Sequence, residues 1–143
     1  MKRRPSAVFT LFALLVLCLG AGGCANSTSD ETLVHIETMP LSERVQSSSA
    51  DRMALIDTRP RQDYVAGHLP GAINLRIEDF SRGRLPMLDR YSRIVVYGQN
   101  PASVTPRALA KRLHSLGYER VRVYDGGVDA WRAAGLPIER TSG

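Results

Sequence analysis

The amino-acid sequence predicts an α/β fold, a small parallel sheet with helices on both faces, on two observations. Short apolar runs typical of strands alternate along the chain with amphipathic runs typical of helices, and this order is characteristic of parallel sheets. About 110 residues follow the small, polar residues 24–32, and a segment of that length can bury one modest core. The apolar content of 43% is ordinary for a globular protein.

The first half of this region is predicted to hold three strands and two helices. A short strand is expected at residues 33–36, and a helix over LSERVQS follows it, with Ser42 as the cap. MALIDT, at residues 53–58, is a continuous apolar run and is predicted to be a buried strand. RQDYVAG then forms a helical turn or two that ends at Gly67, and GAINL forms another short strand.

The second half begins with IVVY, the most apolar of the predicted strands. A helix follows, with Thr105 as its cap and Pro106 in its first turn. Leucines at i, i+4 and i+7 mark one face of this helix, and Gly117 ends it. RVRVYDGG gives the last strand and turn, and VDAWRAAG gives a final helix that Gly135 and Pro137 close.

Residues 1–23 have the three parts of a secretory signal peptide. A basic start precedes an apolar run from Phe9 to Leu19, and small residues follow. The run is too short to cross a membrane comfortably as a helix, which favours a removed signal peptide over a transmembrane anchor. The sequence therefore predicts export to the bacterial cell envelope.

The end of this segment, LGAGGCANS, resembles the lipobox of bacterial lipoproteins, with Ala21 where leucine is usual. The resemblance implies cleavage before Cys24, lipidation of Cys24, and a membrane-anchored protein that faces the periplasm. Ala25 after the cysteine implies sorting to the outer membrane in a Gram-negative cell. Residues 24–32 are small and polar and are predicted to be a flexible tether.

Composition excludes several classes of function. The net charge is +5, but residues 2–4 supply three of those charges, and the remaining +2 predicts no nucleic-acid partner. The two cysteines are Cys18 and Cys24, so the folded region has no thiol for a disulfide, a metal or a nucleophile. The three histidines lack ligand spacing, and we expect neither a metal nor a cofactor.

Three stretches resemble the rhodanese-like family: LIDTRPRQDYVAGHLPGAINL, IVVY with its loop and helix, and VYDGGVDAWRAAGLPI. The first is similar to the family's Asp-x-Arg followed by Gly-His-x-Pro-Gly-Ala-x-Asn. The third is similar to the family's closing Gly-Gly, Trp and Gly-x-Pro. The resemblance implies a rhodanese-like domain at residues 33–143 that is homologous to sulfurtransferases.

Three polar residues of the first stretch are expected near the site. Asp57 and Arg59 flank the turn after a buried strand, which favours a structural ion pair or a local cap over a direct part in chemistry. His68 lies in GHLPG and is expected to be a hydrogen-bonded loop histidine. Trp131, on the final short helix, is expected in the core.

The loop after IVVY departs from the family. In active rhodaneses that strand ends in a cysteine that carries sulfur as a persulfide, and backbone amides with a helix N-terminus lower the thiolate pKa. Here the corresponding residue is Gly98, so we expect no catalytic residue. The segment from Gly98 to Gly117 is also two residues longer than the family's, similar to the loops of rhodanese-related dual-specificity phosphatases. The arginine that the family has in this loop is absent, and Arg107 lies farther along the chain, after Pro106.

Exposed amides together with Arg107 at a helix start are suited to an oxyanion, so this loop is predicted to bind a small anion or a partner protein. The alternative is a closed connection between strand and helix that needs no ligand. The candidate binding residues are Gly98, Gln99, Asn100, Ala102, Ser103, Val104, Thr105 and Arg107.

The sequence thus predicts a catalytically inactive sulfurtransferase homologue that acts as a lipid-anchored binding module of the envelope. A second hypothesis is a residual sulfurtransferase or phosphatase-type enzyme that uses Ser103, Thr105 or a partner's cysteine. A hydroxyl without a nearby base is a weak nucleophile, which counts against it. A third hypothesis is a structural envelope lipoprotein, in which the fold is only a scaffold.

Overall fold

The structure is a computed structural model that describes residues 30–47 and 52–141. The predicted signal peptide, Cys24 and most of the predicted tether lie outside the described residues. The last three tether residues, Asp30–Thr32, form a 3-10 turn. The Asp30 carboxylate lies 2.6 Å from the Lys111 ammonium, and this contact lowers the pKa of Asp30.

Five parallel strands form one sheet, which confirms the predicted fold class. The strand order is β1-β5-β4-β2-β3, so the chain's first strand pairs with its last. β3 is shorter than the predicted GAINL strand. The strands are β1 (Val34–His35), β2 (Met53–Asp57), β3 (Ile73–Asn74), β4 (Arg93–Tyr97) and β5 (Val121–Tyr124).

Helices cover both faces of the sheet. Among residues 30–47 and 52–141, none of the helices has the length and hydrophobicity that a membrane span requires. Two 3-10 segments, Ile77–Phe80 and Pro86–Leu88, occupy the connection between β3 and β4. The helices are α1 (Thr38–Gln46), α2 (Arg61–Ala66), α3 (Thr105–Ser115) and α4 (Gly127–Ala133).

The core has one part on each face of the sheet, because successive residues of a strand point to opposite faces. On one face Val96 of β4 packs with Leu109 of α3 and with the 3-10 segments. On the other face Val95 and Tyr97 pack with Trp131 of α4 and with α1. Burial on both faces explains why the strand sequences are continuously apolar.

The predicted cap of α1 is wrong. The helix begins at Thr38, so Ser42 lies inside it, and the Ser42 hydroxyl donates to the Met39 carbonyl oxygen at 2.9 Å. Pro40 is compatible with this early start, because the N–H groups of the first turn have no intrahelical acceptor.

The predicted cap of α3 is also wrong. Thr105 is the first residue of the helix, and Val104 precedes it without a side-chain cap bond. The Thr105 hydroxyl instead lies 3.1 Å from the Thr58 hydroxyl, across the gap between α3 and the end of β2. Pro106 is in the first turn, as the sequence predicts.

Candidate functional site

The loop between β4 and α3, residues 98–104, lies at the carboxyl edge of the sheet. β4 is flanked by β2 and β5, so the residues that follow those two strands converge on this loop. Arg59 follows β2, and Asp125 and Asp129 follow β5. The candidate site is therefore built from three separate stretches of the chain.

No space for a side chain exists at Gly98. A Cβ built on its backbone would lie 2.8 Å from the Ser103 Cβ and 2.9 Å from the Pro106 Cγ. Real Cβ atoms essentially never approach other heavy atoms that closely. The side chains of Ser103 and Pro106 thus occupy the volume that any larger residue at this position would need.

Three of the loop's backbone amides are satisfied by the loop's own side chains. The Ser103 hydroxyl oxygen accepts hydrogen bonds from the backbone N–H of Gln99 at 3.1 Å and of Asn100 at 3.2 Å. The Asn100 side-chain oxygen accepts from the Ala102 N–H at 3.1 Å. These three amides were candidate donors to a bound anion, but in this structure the side-chain oxygens of Ser103 and Asn100 already accept their hydrogen bonds.

The start of α4 packs directly on the loop backbone. The backbone N–H of Val128 donates to the Gly98 carbonyl oxygen at 3.1 Å, and that of Asp129 donates to the Gln99 carbonyl oxygen at 3.0 Å. Gly127 lies at the closest approach, with φ at +62°, and a Cβ there would come within 2.5 Å of the Gln99 carbonyl. This close contact explains why the sequence has Gly127 at the start of the helix.

Gln99 links the segments that follow β2 and β5, the two strands that flank β4. Its side-chain oxygen accepts from Arg59 Nη1 at 2.9 Å, and its Nε2 donates to Asp129 Oδ1 at 2.5 Å. Asn100 adds a second bond to Asp129, at 3.2 Å. No sequence pattern indicates Asp129 as a site residue, because its partners are about thirty positions away in the chain.

Asp57 and Arg59 form a buried, bidentate ion pair, with Arg59 Nη2 and Asp57 Oδ2 at 2.7 Å. Arg59 Nη2 also donates to the Gly67 carbonyl oxygen at 2.7 Å. Burial disfavours the charged guanidinium, but the hydrogen bonds and charge of Asp57 outweigh it and raise the pKa of Arg59. Arg59 therefore holds the turn after β2 and, through Gln99, one side of the loop.

His68 is buried against α2 and the C-terminal segment. Its Nδ1 lies 2.7 Å from the Tyr64 carbonyl oxygen, and its ring stacks on the Tyr64 ring with centroids 3.8 Å apart. Its backbone exchanges two hydrogen bonds of 2.9 Å with Glu139. These contacts belong to the packing of the turn rather than to the loop.

Arg107 is engaged by a carboxylate. Its Nη2 donates to Asp125 Oδ1 at 2.5 Å, and the other oxygen of Asp125 lies 2.5 Å from His35 Nδ1. Since Asp125 directly follows β5 and His35 ends β1, this cluster ties α3 to the edge of the sheet. The guanidinium that was a candidate anion ligand therefore has its own counter-charge.

The apex of the loop is exposed and apolar. Pro101, Ala102 and Val104 are all exposed, and Val104 retains 74% of its accessible surface. In the described part of the chain, no imidazole or carboxylate hydrogen-bonds to the hydroxyls of Ser103 or Thr105. Residues 30–47 and 52–141 also hold no group of three or more potential ligand residues placed to bind a metal ion.

The chain matches one protein-family model, the rhodanese-like domain, over residues 41–134. The HTH-type transcriptional regulator Rv0324 of Mycobacterium tuberculosis is 35% identical over 97 residues, which are 68% of this chain and 42% of the regulator. The chain thus spans about two fifths of the length of that relative. The thiosulfate sulfurtransferase GlpE of Pseudomonas putida is 30% identical over 108 residues, which are 73% of this chain and 92% of that enzyme.

A solved structure agrees with the sequence comparisons. The solution structure of the rhodanese-like domain of the Alr3790 protein from Anabaena superposes with a TM-score of 0.59 at 28% identity. The alignment covers 75% of this chain and 79% of that domain. By motif, sheet topology and comparison, the chain belongs to the rhodanese-like domain family.

Proposed function

We propose that this protein is a non-catalytic rhodanese-like module, held at the bacterial envelope by a lipid on Cys24, that binds a partner protein through its exposed loop apex. The observation that carries the proposal is the packing at Gly98. The position that the family resemblance assigns to the reactive cysteine has no room for a side chain, because Ser103 and Pro106 fill it.

The polar interior of the loop favours a protein partner over a small anion. The amides of Gln99, Asn100 and Ala102 already have acceptors, and Arg107 is paired with Asp125. An incoming anion would have to displace all of these contacts. When a partner protein covers an apolar apex, by contrast, the burial of apolar surface lowers the free energy of the complex.

A transferase assay tests the catalytic part of the proposal. We expect the purified chain to show no thiosulfate:cyanide sulfurtransferase turnover above the uncatalysed rate, with the Pseudomonas putida enzyme as the positive control. Gly98→Cys is expected to remain inactive while Ser103 is present, because the new side chain has no space. Clear turnover by the unaltered chain would contradict the proposal.

Activity assays with a second substrate test the alternative that the protein is an enzyme. One solved relative, from Rhodopseudomonas palustris, is described as a possible tyrosine phosphatase, so a phosphomonoester such as p-nitrophenyl phosphate belongs beside thiosulfate in the substrate set. Activity that disappears in Ser103→Ala or Thr105→Ala would establish a hydroxyl-dependent enzyme. Activity unchanged by both substitutions would exclude these two hydroxyls.

Lipidation is tested by metabolic labelling with a clickable fatty acid in a bacterial host. We expect the label on the unaltered chain and its loss in Cys24→Ser, because the variant has no thiol to acylate at that position. Equal labelling of the two chains would remove the lipid anchor from the proposal.

Binding is tested in cells with a photo-crosslinking amino acid at Val104, and with Glu43, an exposed residue of α1, as the control position. We expect one dominant adduct from position 104 and none from position 43. No adduct from either position would favour the structural-lipoprotein alternative.

A further inference from the structure

A cleft of about 280 Å³ opens at the amino edge of the sheet, at the opposite end from the residues 98–104 loop. Its floor is apolar and consists of side chains from β1, β2 and β4 and from the segment just after β1. One of them, Val34, is 51% exposed, which is unusual for a β-branched residue in a paired strand. The floor residues are Val34, Ile36, Met53 and Val95.

Four arginines surround this apolar floor, with one acidic residue, Glu119, beside them. Arg93 and Val95 share a face of β4 because they are two positions apart, and Arg122 of β5 lies in register with Val95. Arg120 precedes Arg122 by two positions and therefore lies on the same side. The fourth guanidinium comes from the last turn of α1, at Arg44.

None of these four arginines has a carboxylate partner in the described part of the chain. Arg44 Nη1 donates to the Pro40 carbonyl oxygen at 2.9 Å, within its own helix. Elsewhere Arg59, Arg76, Arg84 and Arg107 each pair with a carboxylate. Like charges on adjacent strands oppose one another, so this side of the sheet favours an external anion.

We propose that this cleft binds an organic anion with an apolar body, such as a carboxylate on a single hydrocarbon chain. Guanidinium groups at the rim match the planar geometry of a carboxylate, and two arginines can share one head group. The hydrocarbon then covers Val34 and the rest of the apolar floor. This site stands apart from the proposed loop function, because no residue of the loop lines it.

The test uses the full chain carrying Cys24→Ser, so that no attached acyl chain competes for the cleft. Decanoate is the probe, titrated below its micelle concentration and followed by calorimetry and by backbone amide chemical shifts. Decanol lacks the charge and acetate lacks the apolar body, so these two compounds test each half of the interaction. Arg93→Ala/Arg122→Ala is the disrupting variant, and Arg82→Ala, in an exposed loop, is the matched control.

We expect decanoate to shift amide signals at the starts of β4 and β5, and the double variant to weaken binding by about tenfold or more. Arg82→Ala is expected to leave the affinity unchanged, and decanol and acetate are expected to bind far more weakly than decanoate. Thermal unfolding of both variants checks that the fold is retained.

Several results would overturn the proposal. These results are the absence of a decanoate-dependent amide shift at the cleft, binding of decanol or acetate as tight as that of decanoate, or a loss of affinity in Arg82→Ala equal to that in the double variant. Binding to phosphatidylglycerol vesicles without binding of free decanoate would also overturn it, since that result describes a membrane-facing surface rather than a ligand cleft.

Discussion

At the scale of single residues, Gly98 and Ser103 determine the character of the site together. Gly98 leaves a gap beside the backbone, and the Ser103 side chain fills that gap while its oxygen accepts two amide hydrogen bonds. The pair makes the loop compact and self-contained. A cysteine at position 98 would require Ser103 or Pro106 to shift, because a Cβ there lies 2.8–2.9 Å from their side chains.

We expect Gly98→Ala to lower the free energy of unfolding by about 1–3 kcal/mol, the usual cost of overpacking a filled site. The backbone of Gly98 is not in the left-handed region, so the cost comes from contact with Ser103 and Pro106. Urea denaturation followed by circular dichroism measures it.

The control for this prediction is a double-mutant cycle with Ser103→Gly. Gly98→Ala is expected to cost less in the Ser103→Gly background than in the unaltered chain, because one of the two overlapping side chains is gone. Identical costs in both backgrounds would mean that Ser103 does not fill the space at position 98.

At the scale of elements, the contact between α4 and the loop after β4 holds the site closed. The first N–H groups of α4 find acceptors in the Gly98 and Gln99 carbonyl oxygens, so the loop satisfies amides that a helix start leaves unpaired. Gly127 makes this approach possible because it has no Cβ and adopts a positive φ.

Gly127→Ala and Gly135→Ala form a matched pair for this contact. Both glycines have positive φ, +62° and +69°, but a Cβ at 135 meets nothing within 4 Å, whereas one at 127 meets the Gln99 carbonyl. We expect Gly135→Ala to cost about 1–2 kcal/mol from backbone strain alone, and Gly127→Ala about 3 kcal/mol or more. Chemical denaturation compares them, and equal losses would contradict the tight contact.

The sequence predicted elements better than contacts. The leucine spacing of α3 and the apolar run of β2 are local patterns. The fold class of the domain and the burial of Leu109 and Trp131 could therefore be predicted from the sequence. The prediction of Ser42 as the cap was wrong because a proline two positions before a serine also suits a chain that has not yet entered a helix. In the structure Pro40 lies in the first turn of α1 and Ser42 lies inside the helix. The partners Asp125 and Asp129 could not be predicted, because only the tertiary fold brings them to Arg107 and Gln99.

At the scale of the whole molecule, the two-sided core buries phenol groups as well as hydrocarbon. Tyr97 and Tyr124 lie on one face of the sheet and are almost fully buried. Burial, together with the nearby Asp57 carboxylate, raises the pKa of Tyr97 well above its usual value. Its hydroxyl accepts a hydrogen bond from the Leu69 N–H at 3.2 Å.

We therefore expect the protein to lose stability as the pH rises above about 10, the pKa of a tyrosine in an unfolded chain. Above that pH the unfolded chain releases the Tyr97 proton and the folded chain keeps it, so the unfolded state binds fewer protons and is favoured. Below pH 10 both states keep the proton and this residue has no effect on the pH dependence.

Chemical denaturation between pH 8 and 11.5 measures this effect, with Tyr97→Phe as the comparison. The free energy of unfolding of the unaltered chain is expected to fall more steeply, by about 1.4 kcal/mol per pH unit for this residue at pH values well above 10. Parallel pH curves for the two proteins would show that Tyr97 titrates normally.

The pairing of β1 with β5 has a consequence for synthesis of the chain. Val34 pairs with Arg122, 88 positions later, so a nascent chain leaves the ribosome with its first strand long before that strand's partner exists. Such a distant pairing closes slowly, because a large loop must lose its conformational freedom first. β1 therefore remains unpaired until the last strand has been made, and the sheet gains this outer strand only when nearly the whole domain has emerged.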